Sequence, residues 1–177
     1  MNLQTQGNLL ANLVLQTEKQ ALTSMNIIFD LSGVIFNQRL NAKEKLSGAI
    51  HAIRPADIAK ITRLLNDCVA LGHRLFVVSS WSKKSYDFFS ADPQIARIFN
   101  FFDDIVLAET VGFKKTDHRI FDHLIGKHRL DPRQCIFIDD QQINIKAAQC
   151  AGIAKGILCV NLNLIQVRQE LELHGAL

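Results

Sequence analysis

Acidic, hydroxyl and basic residues recur in this sequence just beyond short apolar runs, and that placement gives them chemical meaning. Asp30 follows the run 27–29, Ser79 and Ser80 follow 75–78, Asp139 and Asp140 follow 135–138, and Lys114 and Lys115 come shortly after 105–108. Three carboxylates brought to one place repel one another unless a cation stands among them, and their oxygens suit a hard divalent ion. Hydroxyls and a lysine at the same place can hold an anion. Singly, each residue is ordinary: Asp30 reads as a turn residue, Ser79 as a helix cap, Lys115 as a solvated charge, and the Asp139-Asp140 pair as a helix start favoured by its dipole. Their common position after apolar runs is what points to a shared site.

Such a site needs a sheet to carry it. The runs 27–29, 75–78, 105–108, 135–138 and 156–160 are too short for helices and rich in Ile, Val and Phe, so they read as strands. Helical spacing fills the intervals. In PADIAKITRLLNDCVALGH, the residues Ile58, Ile61, Leu64, Leu65, Cys68 and Val69 share one face, with Pro55 suited to the first turn and Gly72 to the stop. A second helix is expected over 117–128 with Ile120, Phe121, Leu124 and Ile125 inward, and a third over 142–151, closed by Gly152. Apolar strands alternating with helices predict a doubly wound, Rossmann-like α/β fold: a parallel sheet of about five strands covered on both faces. Ligands of such sheets bind beyond the carboxyl ends of the strands, where the polar residues fall.

Composition narrows the function classes. The 177 residues, 48% hydrophobic and 21% charged, fit one packed domain, expected over 25–177. Twenty basic against 17 acidic residues, spread along the chain, offer no nucleic-acid footprint. Cys68, Cys135, Cys150 and Cys159 form no CxxC pair, and Cys135 and Cys159 lie in apolar runs, which favours a reducing cytoplasm. No apolar run approaches the roughly 20 residues of a membrane span. The opening MNLQTQGNLLANLVLQ has no signal-peptide pattern, so a cytoplasmic location is expected, with a specialised export route left open. Residues 1–24 read as an extension, with Leu9, Leu10 and Leu13 on one short helix; a packing helix, a partner-binding segment and an upstream start codon are equal alternatives. The six histidines show no metal spacing, and His118 and His123 are expected on a helix surface. Trp81 could stack on an aromatic substrate, but burial is the favoured reading. A homo-oligomer remains open.

Four segments together resemble the haloacid-dehalogenase-like superfamily: IIFDLSGVIF around Asp30, RLFVVSS ending at Ser80, VGFKKTDHRIF around Lys115, and CIFIDDQQINIKAAQCAG around Asp139. They stand in the family's order over about 25–160. The resemblance implies a phosphatase in which Asp30 is the nucleophile and forms an aspartyl-phosphate. It implies Mg²⁺ held by Asp30, Asp139, Asp140 and the backbone carbonyl of Ser32. Ser79 and Lys115 would act on the phosphoryl group, and Ser32, Gly33, Ser80, Lys115 and Asn144 would line the substrate side. Asn144 and Asp117 are also expected to support the site.

Two departures shape the expected substrate. The family's second Asp, which protonates the leaving group, is replaced by Ser32, and general acid–base help is typically worth about 10²–10⁴-fold. Phosphates with good leaving groups are therefore favoured: aryl esters such as phosphotyrosine, acyl phosphates and anomeric sugar phosphates. Dehalogenation is disfavoured, since the family's dehalogenases usually carry an aromatic residue there. In addition, the segment at about 36–54 leaves room for a short flap but not for a full cap domain, so an open site able to admit a phosphoprotein or a small molecule is expected. The alternatives are a scaffold protein that has lost turnover, and a phosphotransferase that passes the group to another acceptor.

Overall fold

The computed structural model describes residues 24–36 and 55–177. The expected extension over 1–24 and the flap at about 36–54 lie almost wholly outside them. Five strands form the sheet: β1 (Asn26–Phe29), β2 (Arg74–Ser79), β3 (Asp104–Leu107), β4 (Cys135–Asp139) and β5 (Lys155–Leu158). All pairings are parallel and the order is β3-β2-β1-β4-β5. The strands thus run outward from β1 to one edge, and then resume at β4 on its other side. That reversal makes the gap between the ends of β1 and β4 the switch point of the fold.

Alternation along each strand feeds two cores. Ile27 and Phe29 of β1, with Leu75, Val77, Ile136 and Ile138, pack under α1 (Pro55–Ala70) and α7 (Leu164–Leu173), while Ile28, Phe76, Val78 and Phe137 pack under α5 (Arg119–His128) and α6 (Gln142–Cys150). Burial of one such aliphatic or aromatic side chain is worth roughly 1.5–3 kcal/mol. The two layers together hold the central strand rigid.

The predicted helices over 117–128 and 142–151 match α5 and α6 in position. Along α1, Ile61, Leu64, Leu65 and Cys68 are buried, but Val69 is 45% exposed; it lies at the edge of the apolar stripe, on the turn beyond which the helix ends. The strand expected over 156–160 stops at Leu158, and Val160 faces solvent. Four further helices were not anticipated: α2 (Lys83–Ser90), α3 (Pro93–Phe99), α4 (Ala108–Val111) and α7. Each is short or has only a few buried residues, which leaves few turns from which to read a period, though Ser82, Asp92 and Asn163 cap α2, α3 and α7 through their side chains. Cys68, Cys135 and Cys159 are buried and unbridged, and burial pushes their thiols up to about 12, 12 and 11. They behave as packing residues.

Candidate active site at the switch point

Asp30 is placed by the sheet. Its N–H donates to the Ile138 carbonyl at 2.9 Å, which extends the β1–β4 pairing one residue past β1 and sets the side chain beside β4. One carboxylate oxygen, Oδ1, accepts the Leu31 N–H at 2.7 Å. The chain then folds back at once, with Ile35 and Phe36 donating to the Leu31 carbonyl at 3.0 and 2.8 Å and Gly33 donating to the Phe36 carbonyl at 2.8 Å. Leu31, Val34, Ile35 and Phe36 bury their side chains and anchor this loop to the core.

The loop needs glycine at position 33 for two reasons. Its φ of +84° is left-handed, and a Cβ built there would lie 2.6 Å from Asp140 Oδ2. The Asp140 carboxylate therefore rests directly on the Gly33 backbone, next to Asp30. Asp139, fully buried at the end of β4, has both oxygens engaged. Oδ1 accepts from the Gln141 N–H at 2.8 Å and from Asn144 Nδ2 at 2.9 Å, and Oδ2 accepts from Lys115 Nζ at 2.8 Å. Lys115 also reaches Asp30 Oδ2 at 2.5 Å, so one ammonium bridges the two strand ends.

The electrostatics follow from crowding and burial. Burial pushes the Asp30 carboxyl up to about 7, the Lys115 charge acts to lower it and the Asp139 charge to raise it further. For Lys115 burial opposes the charged form, but the carboxylates of Asp30 and Asp139 prevail and raise it, so it stays an ammonium. With all three carboxylates ionised, one ammonium leaves two negative charges in excess. Oxygens of Asp30, Asp139 and Asp140 lie within 4.8 Å of one another. Two oxygens on opposite sides of a Mg²⁺ ion stand about 4.2 Å apart, from bond lengths of about 2.0–2.1 Å. An all-oxygen donor set of this size and charge fits a small divalent cation.

The remaining residues distribute unevenly. Ser79 is fully buried at the end of β2, and its Oγ accepts from the Trp81 N–H at 3.2 Å. Ser80 is exposed. Asn144 stands behind Asp139 and donates to it, and does not reach across the rim. Asp117 turns away and forms an ion pair with Arg119 at 2.6 Å, which holds its carboxyl down at about 2; a role as support for the site gains nothing from this geometry. Lys114 is exposed, as are His118 and His123, the latter two as anticipated. Trp81, 5% exposed, is buried between Phe36 and Phe89 with centroid separations of 5.6 and 4.7 Å, and its Nε1–H donates to Ser32 Oγ at 2.7 Å. Sequence reading missed this link because the partners are 49 residues apart and no local pattern joins them.

Comparison with known proteins gives the class. Residues 41–157 match the family model of the haloacid dehalogenase-like hydrolases, a stretch that begins after Asp30. The chain belongs to that family. Among solved structures it is similar to a predicted HAD-like family hydrolase from Porphyromonas gingivalis, at 20% identity and a TM-score of 0.64, covering 85% of this chain and 98% of that one. It is also similar to a HAD family enzyme from Bacteroides thetaiotaomicron solved as a magnesium complex, at 20% identity and a TM-score of 0.58, covering 78% and 94%. An Asp-to-Ala variant of that enzyme, in complex with magnesium and inorganic phosphate, matches at 18% identity and a TM-score of 0.56, covering 75% and 92%. At these identities the likeness establishes the fold. No helix among the described residues is long and apolar enough to cross a membrane.

Proposed function

We propose that this protein is a magnesium-dependent phosphohydrolase in which Asp30 is the nucleophile. The observation that carries the reading is the Lys115 ammonium bridging Asp30 and Asp139 at the switch point, with Asp140 alongside on Gly33. A bound phosphoryl group needs a nucleophile, positive charge and donors in one place, and these strand ends supply them. The Bacteroides enzyme's magnesium and inorganic phosphate are consistent with the same use of the rim.

In this reading a carboxylate lone pair of Asp30 attacks phosphorus as the bond to the leaving oxygen breaks, and the departing alcohol or phenol takes a proton from solvent. Water then attacks the aspartyl-phosphate, releases inorganic phosphate and restores Asp30. Lys115 neutralises charge on the transferring group while holding Asp30 in line, and Ser79 donates to a phosphoryl oxygen. Mg²⁺, held by Asp30, Asp139, Asp140 and the Ser32 carbonyl, would screen the phosphate from these carboxylates and stabilise developing negative charge. Asn144 and the Gln141 N–H fix the Asp139 carboxylate. Ser32 carries no ionisable group, so leaving groups that depart without a proton are favoured, phosphotyrosine and other aryl phosphates first among them.

Phosphate release from p-nitrophenyl phosphate and a phosphotyrosine peptide, with and without Mg²⁺, tests the reading. Wild type should release phosphate only with Mg²⁺, and Asp30→Asn should lose about 10³-fold or more. Release that persists in Asp30→Asn, or that ignores EDTA, would overturn it.

A further inference from the structure

Ser32 lies two residues past the nucleophile and Ser79 ends β2, the strand beside β1, and both hydroxyls receive a hydrogen bond from one residue. The Trp81 backbone N–H donates to Ser79 Oγ at 3.2 Å, and its indole Nε1–H donates to Ser32 Oγ at 2.7 Å. An indole nitrogen is a donor only, as is a backbone N–H, so in both contacts the serine oxygen must be the acceptor. Each serine keeps its own O–H to give away, and among the described residues neither gives it to a protein acceptor. The indole that sets this polarity is itself immobilised, stacked on Phe36 and packed on Phe89. Phe36 closes the loop that starts at Asp30, and Phe89 lies on α2, so the ring is held between that loop and α2.

The phosphoryl group of a phosphate monoester offers acceptors in abundance and, when fully ionised, no donor. A free serine hydroxyl rotates and accepts as readily as it donates; one that already accepts from a donor-only group turns its hydrogen away from that group and keeps one of its two lone pairs. We propose that Trp81 is a positioning residue that commits Ser32 and Ser79 to act as hydrogen-bond donors to a phosphoryl group seated against Asp30. The inference rests on the phosphohydrolase reading of the rim. It gives the buried tryptophan a role distinct from packing, and gives Ser32 a role beyond the loss of an acid: it contributes a neutral donor.

A double-mutant cycle on the full chain tests it, using Trp81→Phe, Ser32→Ala and the combination. Phenylalanine keeps the aromatic packing and the backbone N–H to Ser79, and removes only the indole donor. The cycle is read in kcat/KM for p-nitrophenyl phosphate and, separately, in the Kd for inorganic phosphate with Mg²⁺ by calorimetry. Each single variant should lose about threefold to tenfold, the worth of one hydrogen bond, and the double variant should lose no more than Ser32→Ala alone, because Trp81 acts through Ser32. Losses that multiply would mean that Trp81 acts by packing, and would overturn the proposal. Coupling in phosphate affinity without turnover of any phosphate ester would sustain Trp81's role and sink the phosphohydrolase reading; absence of both binding and turnover would sink the two together. Trp81 is the single tryptophan of the chain, so its emission gives a check that does not depend on Trp81→Phe folding. Ser32→Ala should shift that emission, and phosphate with Mg²⁺ should shift it in wild type; an emission unmoved by both would overturn the assignment.

Discussion

Lys115 is the residue on which the site depends most. It is 5% exposed, it touches two carboxylates, and no other lysine or arginine among the described residues pairs with Asp30 or Asp139. Removing the cation from a buried cluster leaves the carboxylates facing one another without compensation, which typically costs about 3–5 kcal/mol. Lys115→Met is therefore expected to lower the unfolding temperature markedly in EDTA and to abolish phosphate release. Mg²⁺ should restore part of the lost stability, since an ion that binds only the folded state stabilises it by mass action. Thermal unfolding with and without Mg²⁺ measures both effects. Unfolding temperatures that Mg²⁺ leaves unchanged in both proteins would argue against a cation site at these carboxylates.

At the scale of elements, what matters is the loop between Asp30 and Phe36. It is short, its turn is closed by backbone hydrogen bonds, and its apolar side chains are buried, so its shape is set before any ligand arrives. Gly33 is the point at which that shape can be tested. Alanine there would have to adopt a left-handed φ, at about 1–2 kcal/mol, and its methyl would press into the Asp140 carboxylate at 2.6 Å. Gly33→Ala should leave the sheet folded, weaken Mg²⁺ binding and reduce kcat/KM by more than its modest loss in stability explains. Mg²⁺ titration by calorimetry beside circular dichroism separates these outcomes, and unchanged Mg²⁺ affinity would show that Asp140 does not bind the ion from its place on Gly33.

Across the whole molecule, His73 links the start of the sheet to the end of the chain. Its Nδ1 accepts the Met25 N–H at 3.0 Å, and its Nε2–H donates to the Ala176 carbonyl at 2.6 Å, an arrangement that requires the neutral ring. Burial lowers its pKa below the ordinary 6.5, and the Ala176 carbonyl offsets only part of this. The unfolded chain takes up a proton near pH 6.5 while folded His73 resists it, so this contribution is complete above pH 6.5 and is lost as pH falls below it towards the folded value. The unfolding temperature of wild type should thus drop between pH 7.5 and 5 more steeply than that of His73→Gln. Parallel curves would show that His73 is not the group responsible.

Much of this protein was legible in the order of its residues. Continuous apolar strands of three to five residues between helical intervals can be buried only in a parallel sheet covered on both faces, and a parallel sheet exposes its strand ends at one rim; Asp30, Ser79, Asp139 and Asp140 were thereby assigned to one side of the fold. Polarity and period, both local properties, sufficed for that. Which of those residues touch was not local. Lys115 could as well have faced solvent as Lys114 does, since both lie in the loop after α4, and only the path of that loop past β1 and β4 turns one inward. Asp117 and Asn144 were both expected to support the site; Arg119, two residues on, pairs with the first, whereas the start of α6 aims the second at Asp139. Trp81 and Ser32 meet because β2 lies beside β1, which brings together hydrogen-bonding groups 49 residues apart. Contacts between strand ends are decided by sheet order and by the direction each loop leaves its strand, and neither is written in the residues on their own.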